Sequence, residues 1–482
     1  MLQQLINHHL PGKMSEPAPA APGLPDTVAA LLRTSTAIDA GSVFVLLVTL
    51  LVFLLPIFLI FPPVAPCPTE AILQTHTRVG LDPRESKLKR AWAATKSEKP
   101  CSSDGTCSLP RLRSLCIYPV KSCAGIELSR ARVLCHGLEY DRLFTFAQLR
   151  SPFPVAVDDD DDDDDDDHHD HWEVITQRQF PRLATVQAEL YAPDPAKKAS
   201  RTDEPFLVLR FPWRDAGLAA GAWAWATAKL ARGRRAVPER EIMLPLVFPS
   251  APDRAAKGYA FEPVRIWGAT VRALNMEVEL PPELRLYLGL SNRLALFRMD
   301  PAATREVHGC APTEAEAGYQ PSVCFQDAYP LHLLNLSSVR DLEEKVPKDE
   351  TLQELDPVRF RPNIVVDGAP AYDEDSWKKI RCGPAEASSS CLDQATFHVS
   401  CRTTRCKLPN TDPDTGVRHP VEPDKTLRTH REVDAGARHK GCLGMQLTPL
   451  FASTQRPEDM ETWLETGMSI EVLERGEHFF LK

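Results

Sequence analysis

The chain lacks the marks of a zinc knuckle, a dinucleotide site or a nucleic-acid surface. It has 13 cysteines in 482 residues, yet no two stand as C-x-x-C and none form the even framework of a small secreted domain. A reducing compartment is expected. No G-x-G-x-x-G follows a strand pattern, so the chain shows no fingerprint for a bound flavin or nicotinamide nucleotide. Positive charge is not in excess either, since the formal net charge is -10. Residues 158–167 and Asp170 supply eleven negative charges, and the remainder stands at +1. Neither figure makes a case for nucleic-acid binding.

Proline, at 43 residues, is abundant and predicts long irregular connections around a core large enough for two ordinary domains. Residues 1–40 are Pro/Ala-rich and expected to be disordered. Residues 43–61 carry no charge and are interrupted only by Thr49 and Pro56, about the length that crosses a hydrocarbon core. A transmembrane anchor spanning 41–64 is the reading. The run is too long and starts too late for a cleaved signal peptide, and Pro62-Pro63-Val-Ala-Pro66 is a poor cleavage site. More Lys and Arg follow the span than precede it, which puts the C-terminal side in the cytosol. The N-terminal region lacks the Arg-rich pattern of a matrix presequence, so a matrix location is disfavoured, which leaves the mitochondrial outer membrane or the endoplasmic reticulum.

Residues 65–109 read as a polar linker. A β-rich domain is expected over 110–235 and a second one over 236–482. The Asp run and its trailing histidines (158–171) form a low-complexity insertion, because successive aspartates repel one another and cannot pack. It interrupts a hairpin that ends near Trp172-Glu-Val-Ile-Thr176. Asn335 should open a helix, residues 281–290 read as a helix although their leucines alternate as a strand's would, residues 373–377 look exposed, and 479–481 should close a final hairpin.

The stretch with the most chemistry is Cys401-Arg-Thr-Thr404-Arg405-Cys406 and the turn Asp412-Pro-Asp-Thr-Gly416. Phe397, Val399 and Cys401 alternate as on a half-buried strand, which leaves Cys406 just past its end. Arg405 beside it would favour the thiolate, so Cys406 is a candidate metal ligand or nucleophile; a buried apolar cysteine is the competing reading. Upstream, the loop Lys121-Ser122 could hold a phosphate by charge and hydroxyl donation. Arg361 and Asn363 flank a proline that should keep the backbone extended and turn both side chains to one side.

Together, Tyr118-Pro-Val-Lys121-Ser122-Cys123, Asp141-Arg142, Arg359-Phe-Arg361-Pro-Asn363-Ile-Val-Val, Glu374-Asp375-Ser-Trp377 and Arg405-Cys406 with the 412–416 turn resemble the MOSC superfamily, in order and rough spacing. Within it the amidoxime-reducing component type is the nearest likeness. The resemblance implies an α+β, mainly β fold: a MOSC β-barrel preceded by a β-rich MOSC N-terminal domain, behind the N-terminal transmembrane helix. It implies a molybdenum-pterin cofactor, with Cys406 as the thiolate on the metal and Lys121, Ser122 and Arg142 on the pterin phosphate. Arg361, Asn363, Thr404 and Arg405 would contact the pterin, and Asp327 would be a site acid. Ala328 departs from the hydroxyl residue frequent in relatives. The implied reaction is reduction of N-hydroxylated compounds such as amidoximes and hydroxylamines, with electrons from cytochrome b5 and its NADH-dependent reductase. MOSC domains also terminate molybdenum-cofactor sulfurases, so a sulfur-carrying role for Cys406 is an alternative, and a membrane scaffold without catalysis a third.

Overall fold

The computed structural model describes residues 40–60, 68–96, 109–151, 170–197, 204–214, 217–233, 236–384 and 394–481. The disorder expected for 1–40 and the Asp158 to Asp167 tract lie outside the described residues, except for Ala40, which opens a helix. Ala40–Ile60 is one helix with Pro56 inside it. At about 31 Å it is long enough to cross a bilayer core. Among the described residues it is the one helix long and apolar enough to do so. The Thr49 hydroxyl donates to the Val45 carbonyl at 2.7 Å, so it brings no unmet polar group into the apolar run.

Residues 65–482 form a separate unit built on two closed β-rings. In the larger, Ile364–Asp367, Leu331–Asn335, Cys442–Leu450, Ala395–Thr404, Trp377–Gly383, Ser469–Arg475 and Arg111–Ile117 follow one another around the ring, and Arg111–Ile117 pairs back onto Ile364–Asp367. Ala395–Thr404 buries Phe397, Val399 and Cys401, but the three do not share one face as expected: a bulge between Val399 and Cys401 breaks the alternation, and Cys401 packs with Val307, Val323 and Tyr329 while Phe397 and Val399 fill the main core. Leu331–Asn335 and Ile364–Asp367 are parallel and so need a crossover, which the helix Leu336–Lys345 supplies. Asn335 opens that helix as expected, accepting from the Ser337 amide at 3.2 Å.

The smaller ring closes Ala260–Ile266, Ala269–Asn275, Leu294–Arg298, Phe144–Arg150 and His171–Val174 around Val264, Ala273, Phe297 and Trp172. Phe144–Arg150 and His171–Val174 are antiparallel neighbours, so the acidic insertion joins two paired strands. This ring draws strands from both sides of residue 235, and the division expected there runs through it. A four-stranded sheet of His76–Val79, Gln187–Pro193, Phe206–Pro212 and Glu239–Pro245 lies alongside in the order. Pro282–Leu288 is a helix: Leu284 and Leu288, four apart, are buried and Leu286 is exposed.

Four local expectations change. The segment expected as a linker contributes the strand His76–Val79, and its helix Lys87–Ala94 buries Leu88 and Trp92. Its lysines masked an i, i+4 apolar pair behind a Ser86 cap. In 373–377, expected to be exposed, Glu374 and Trp377 are fully buried. Ser338 Oγ and Asn335 Nδ2 donate to the Glu374 carboxyl at 2.6 and 2.9 Å, which makes its burial tolerable. Residues 477–481 form no hairpin, because other groups take their backbone amides. Asp434 Oδ1 accepts from the Phe480 amide at 2.9 Å, and Cys310 Sγ from that of Leu481 at 3.1 Å. The chain passes so close to Gly436 that a Cβ there would lie 2.1 Å from the Phe480 carbonyl oxygen. Finally, Arg361 is not extended; it is left-handed, with φ 50° and ψ 53°.

Candidate functional site

A cavity of about 190 Å³ opens where loops at the end of the larger ring meet the tip of the hairpin between Ala260–Ile266 and Ala269–Asn275. Lys121, Ser122, Arg142, Asp327, Arg361, Asn363, Thr404, Arg405 and Cys406 all line it, so the residues singled out in the sequence converge on one place. They come from segments as far apart as 121 and 406, brought together by ring closure.

Three cation-bearing loops are held by backbone geometry that side chains rarely adopt. Ser122, Arg142 and Arg361 have φ of 68°, 51° and 50°. The left-handed turn at Arg361 replaces the extended form expected before Pro362. It brings the guanidinium back over the Tyr118 ring, 4.1 Å from its centroid, with Nη1 donating to the Cys123 carbonyl at 2.6 Å. Arg142 lies 4.9 Å from the same ring, pairs with buried Asp141, and donates to Asn363 Oδ1 at 3.2 Å. Asn363 is fixed by its own donation to the Cys116 carbonyl at 3.1 Å. Arg405 Nη2 donates to the Phe360 carbonyl at 2.6 Å. The 412–416 turn stiffens the wall from behind. Asp412 Oδ1 accepts from the amides of Asp414 and Thr415, while Oδ2 accepts from Arg359.

The electrostatics are those of a recessed cationic pocket. Burial pushes the Arg361 and Arg405 guanidinium pKa values down to about 10. Burial likewise brings the Lys121 ammonium down to about 8, against the opposing pull of Asp327, with which it pairs. Lys121 also donates to the Phe325 carbonyl at 2.7 Å. His332, enclosed and flanked by Arg405 and Arg142, is held well below the usual imidazole range and stays neutral. Asp327 reaches the open space of the cavity although protein rings it on most sides. That enclosure opposes ionisation, but Lys121, Arg142 and Arg178 outweigh it and keep the carboxylate charged. Cys406 is exposed at the rim.

These residues fit an anionic pterin group. Lys121, Arg142, Arg361, Arg402 and Arg405 line the cavity, and Arg361 Nη2 is buried with no hydrogen-bond partner among the described residues. An acceptor oxygen of such a group would meet that donor and offset the cost of enclosing positive charge. An exposed thiol beside it is the ligand type that suits molybdenum. Ala328 lines the cavity with a methyl group and adds no donor.

Sequence reasoning passed over Trp267, Arg178 and His332. The signal for Trp267 was present, since a Trp-Gly pair between two alternating runs is a two-residue hairpin loop. Nothing local shows that its tip meets Asp327, sixty residues on, and the same is true of Arg178, whose guanidinium lies over the Trp267 ring.

Comparison with known proteins gives the same picture at the level of families. The MOSC domain matches residues 320–471 and the MOSC N-terminal beta barrel domain matches 109–220, together more than half of the chain. Mitochondrial amidoxime reducing component 2 of Rattus norvegicus is 25% identical over 339 residues, covering 70% of this chain and 75% of that protein. Mitochondrial amidoxime-reducing component 1 of Homo sapiens is 24% identical over 366 residues, 73% and 79% of the two chains. A molybdenum cofactor sulfurase of Oryza sativa is 33% identical over 160 residues, 31% of this chain and 17% of that protein. With the mainly β architecture, the convergent cationic cavity and both domain matches in the expected order, the chain belongs to the MOSC-domain proteins, in likeness to the amidoxime-reducing components.

Proposed function

We propose that this chain is a membrane-anchored molybdenum-cofactor oxidoreductase that reduces N-hydroxylated compounds, amidoximes and hydroxylamines, with electrons delivered by a partner cytochrome such as cytochrome b5 and its NADH-dependent reductase. The observation that carries the reading is the exposed Cys406 thiol at the rim of a cavity whose recessed side is lined by Lys121, Arg142, Arg361 and Arg405. The cofactor, when bound, supplies the redox centre at which the N–O bond is reduced.

The rest is the work of the chain. Lys121, Ser122 and Arg142 hold the phosphate; Arg361, Asn363, Thr404 and Arg405 orient the pterin; Cys406 ligates the metal. Asp327 takes the hydrogen bonds from Lys121 and Trp267 on Oδ1. Oδ2 is then the oxygen that accepts an N–H of an amidoxime and turns its N–OH group inward. The small cavity admits a compact substrate and little water with it. The helix Ala40–Ile60 anchors the catalytic unit, and an outer mitochondrial membrane shared with the electron donor raises the local concentration of both.

The likeness to a cofactor sulfurase favours one alternative, a persulfide carried on Cys406. Full-length protein purified in detergent from a molybdopterin-producing host separates the readings. Stoichiometric molybdenum and NADH-dependent reduction of benzamidoxime in the reconstituted chain are expected. Cyanide-releasable sulfur on Cys406 without turnover would favour the alternative, and a metal-free protein would leave a scaffold. Cys406→Ser should lower turnover by about a thousandfold or more while the thermal midpoint stays put, since the thiol is exposed and supports no core.

A further inference from the structure

The hairpin of the smaller ring turns through two residues, Trp267 and Gly268, between the paired Ile266 and Ala269. Both have positive φ, 52° and 83°, the pattern of a type I′ turn. Asn-Gly satisfies such a turn with least strain, whereas a bulky aromatic residue at its first position is disfavoured. Core packing does not explain the tryptophan, because Trp267 is 51% exposed. Its contacts lie at the cavity instead. Nε1 donates to Asp327 Oδ1 at 3.1 Å, the Arg178 guanidinium sits 4.2 Å from the ring centroid, and the Lys121 ammonium 5.6 Å. The base of the hairpin is rigid, with Val264, Ile266 and Val271 buried in the ring. A strained, exposed aromatic on a stiff mount, aimed at a candidate acid, is the kind of outlier that function retains.

We propose that Trp267 is the specificity-determining residue of the site: its half-exposed indole forms a platform at the cavity mouth that favours planar, conjugated N-hydroxylated substrates over saturated alkyl ones. The inference rests on the reductive reading above. An aryl amidoxime can stack on the indole while Asp327 takes its N–H, and an alkyl amidoxime gains only the second contact.

The test is the ratio of kcat/KM for benzamidoxime to that for acetamidoxime in full-length holoenzyme. Trp267→Asn creates the favoured Asn-Gly turn, so it should fold with an unchanged or raised thermal midpoint. The ratio should fall about fivefold to tenfold, mainly through KM for the aryl substrate. Trp267→Phe also lacks the donor to Asp327 but keeps an aromatic face, and should retain most of the ratio. Loss of the hydrogen bond acts on both substrates and cancels. An unchanged ratio in Trp267→Asn, or an equal fall in Trp267→Phe, overturns the proposal. A second readout needs no turnover: benzamidoxime should quench tryptophan fluorescence of the wild-type protein, and this quenching should be absent in Trp267→Phe. If the wild-type enzyme reduces neither compound, the reductive reading fails, and the titration still decides whether Trp267 holds an aryl ring.

Discussion

The recessed side of the cavity and its rim hold their functional groups in different ways. On the recessed side, Lys121, Arg142, Arg361 and Arg405 are locked by carbonyls, aromatic rings and left-handed backbone turns before any ligand arrives. At the rim, Cys406, Asp327 and Trp267 stay open to solvent, Trp267 at the tip of its hairpin and Asp327 held by side chains through Oδ1 alone. On the proposed function, the difference is one of tasks. Gripping a permanent anionic group favours donors fixed in advance, since little ordering then has to be done on binding. Meeting a substrate and an electron donor requires groups that can be reached from outside.

The sharpest way to break this contrast is at Arg361, whose Nη2 has no partner among the described residues. Arg361→Ala should cut the pterin retained by the purified protein by at least about tenfold, read from oxidised pterin fluorescence, because a charge-assisted bond to an anion is lost. Full retention would mean that the recessed cations only brace the fold.

A smaller effect links the two sides through Lys121 and Asp327. Burial lowers the Lys121 pKa to about 8 and the Asp327 carboxylate opposes that fall. Activity that needs the ammonium should therefore decline as pH rises through about 8. Asp327→Asn removes the opposing charge, so the same decline should move to lower pH by about one unit. A pH profile of kcat/KM reads the shift, and an unmoved alkaline limb would uncouple rim from recess.

The smallest effect concerns an acid remote from both. Burial raises the Glu374 pKa to about 7 although Ser338 and Asn335 donate to it. Its folded-state value lies above the unfolded one. The stability it contributes is thus complete below the unfolded pKa and is lost as pH rises through about 7. The thermal midpoint should be lower at pH 8 than at pH 5.5 by roughly 4 °C, and Glu374→Gln should flatten that difference. An unchanged slope in the variant would assign the pH dependence to other groups.

Much of the site was legible in the sequence because its residues sit in short blocks where type and order are informative together. Lys121-Ser122, the Arg361 to Asn363 block and Arg405-Cys406 all reach the cavity. What local pattern could not give was backbone conformation forced by tertiary contacts. Pro362 argues for an extended Arg361, yet stacking on Tyr118 and the bond to Cys123 hold it left-handed. Burial of Glu374 was hidden for a related reason, since its partners come from the helix that begins after Asn335. The mainly β class followed from alternation and the family likeness. The exchange of strands across residue 235 did not, because pairing between distant strands leaves no mark on either one.

One feature of the larger ring bears on how the molecule is made. Arg111–Ile117 is the earliest of its strands along the chain, and it is clasped between Ile364–Asp367 and Ser469–Arg475. A ribosome delivers that first strand, and soon after it the partner Ile126–Leu128, long before the two ring neighbours exist, so the ring itself cannot close until residues near 475 emerge. Until then the apolar Leu112, Leu115 and Ile117 lack the finished interior they come to fill, and the cavity cannot take shape before the last steps of translation.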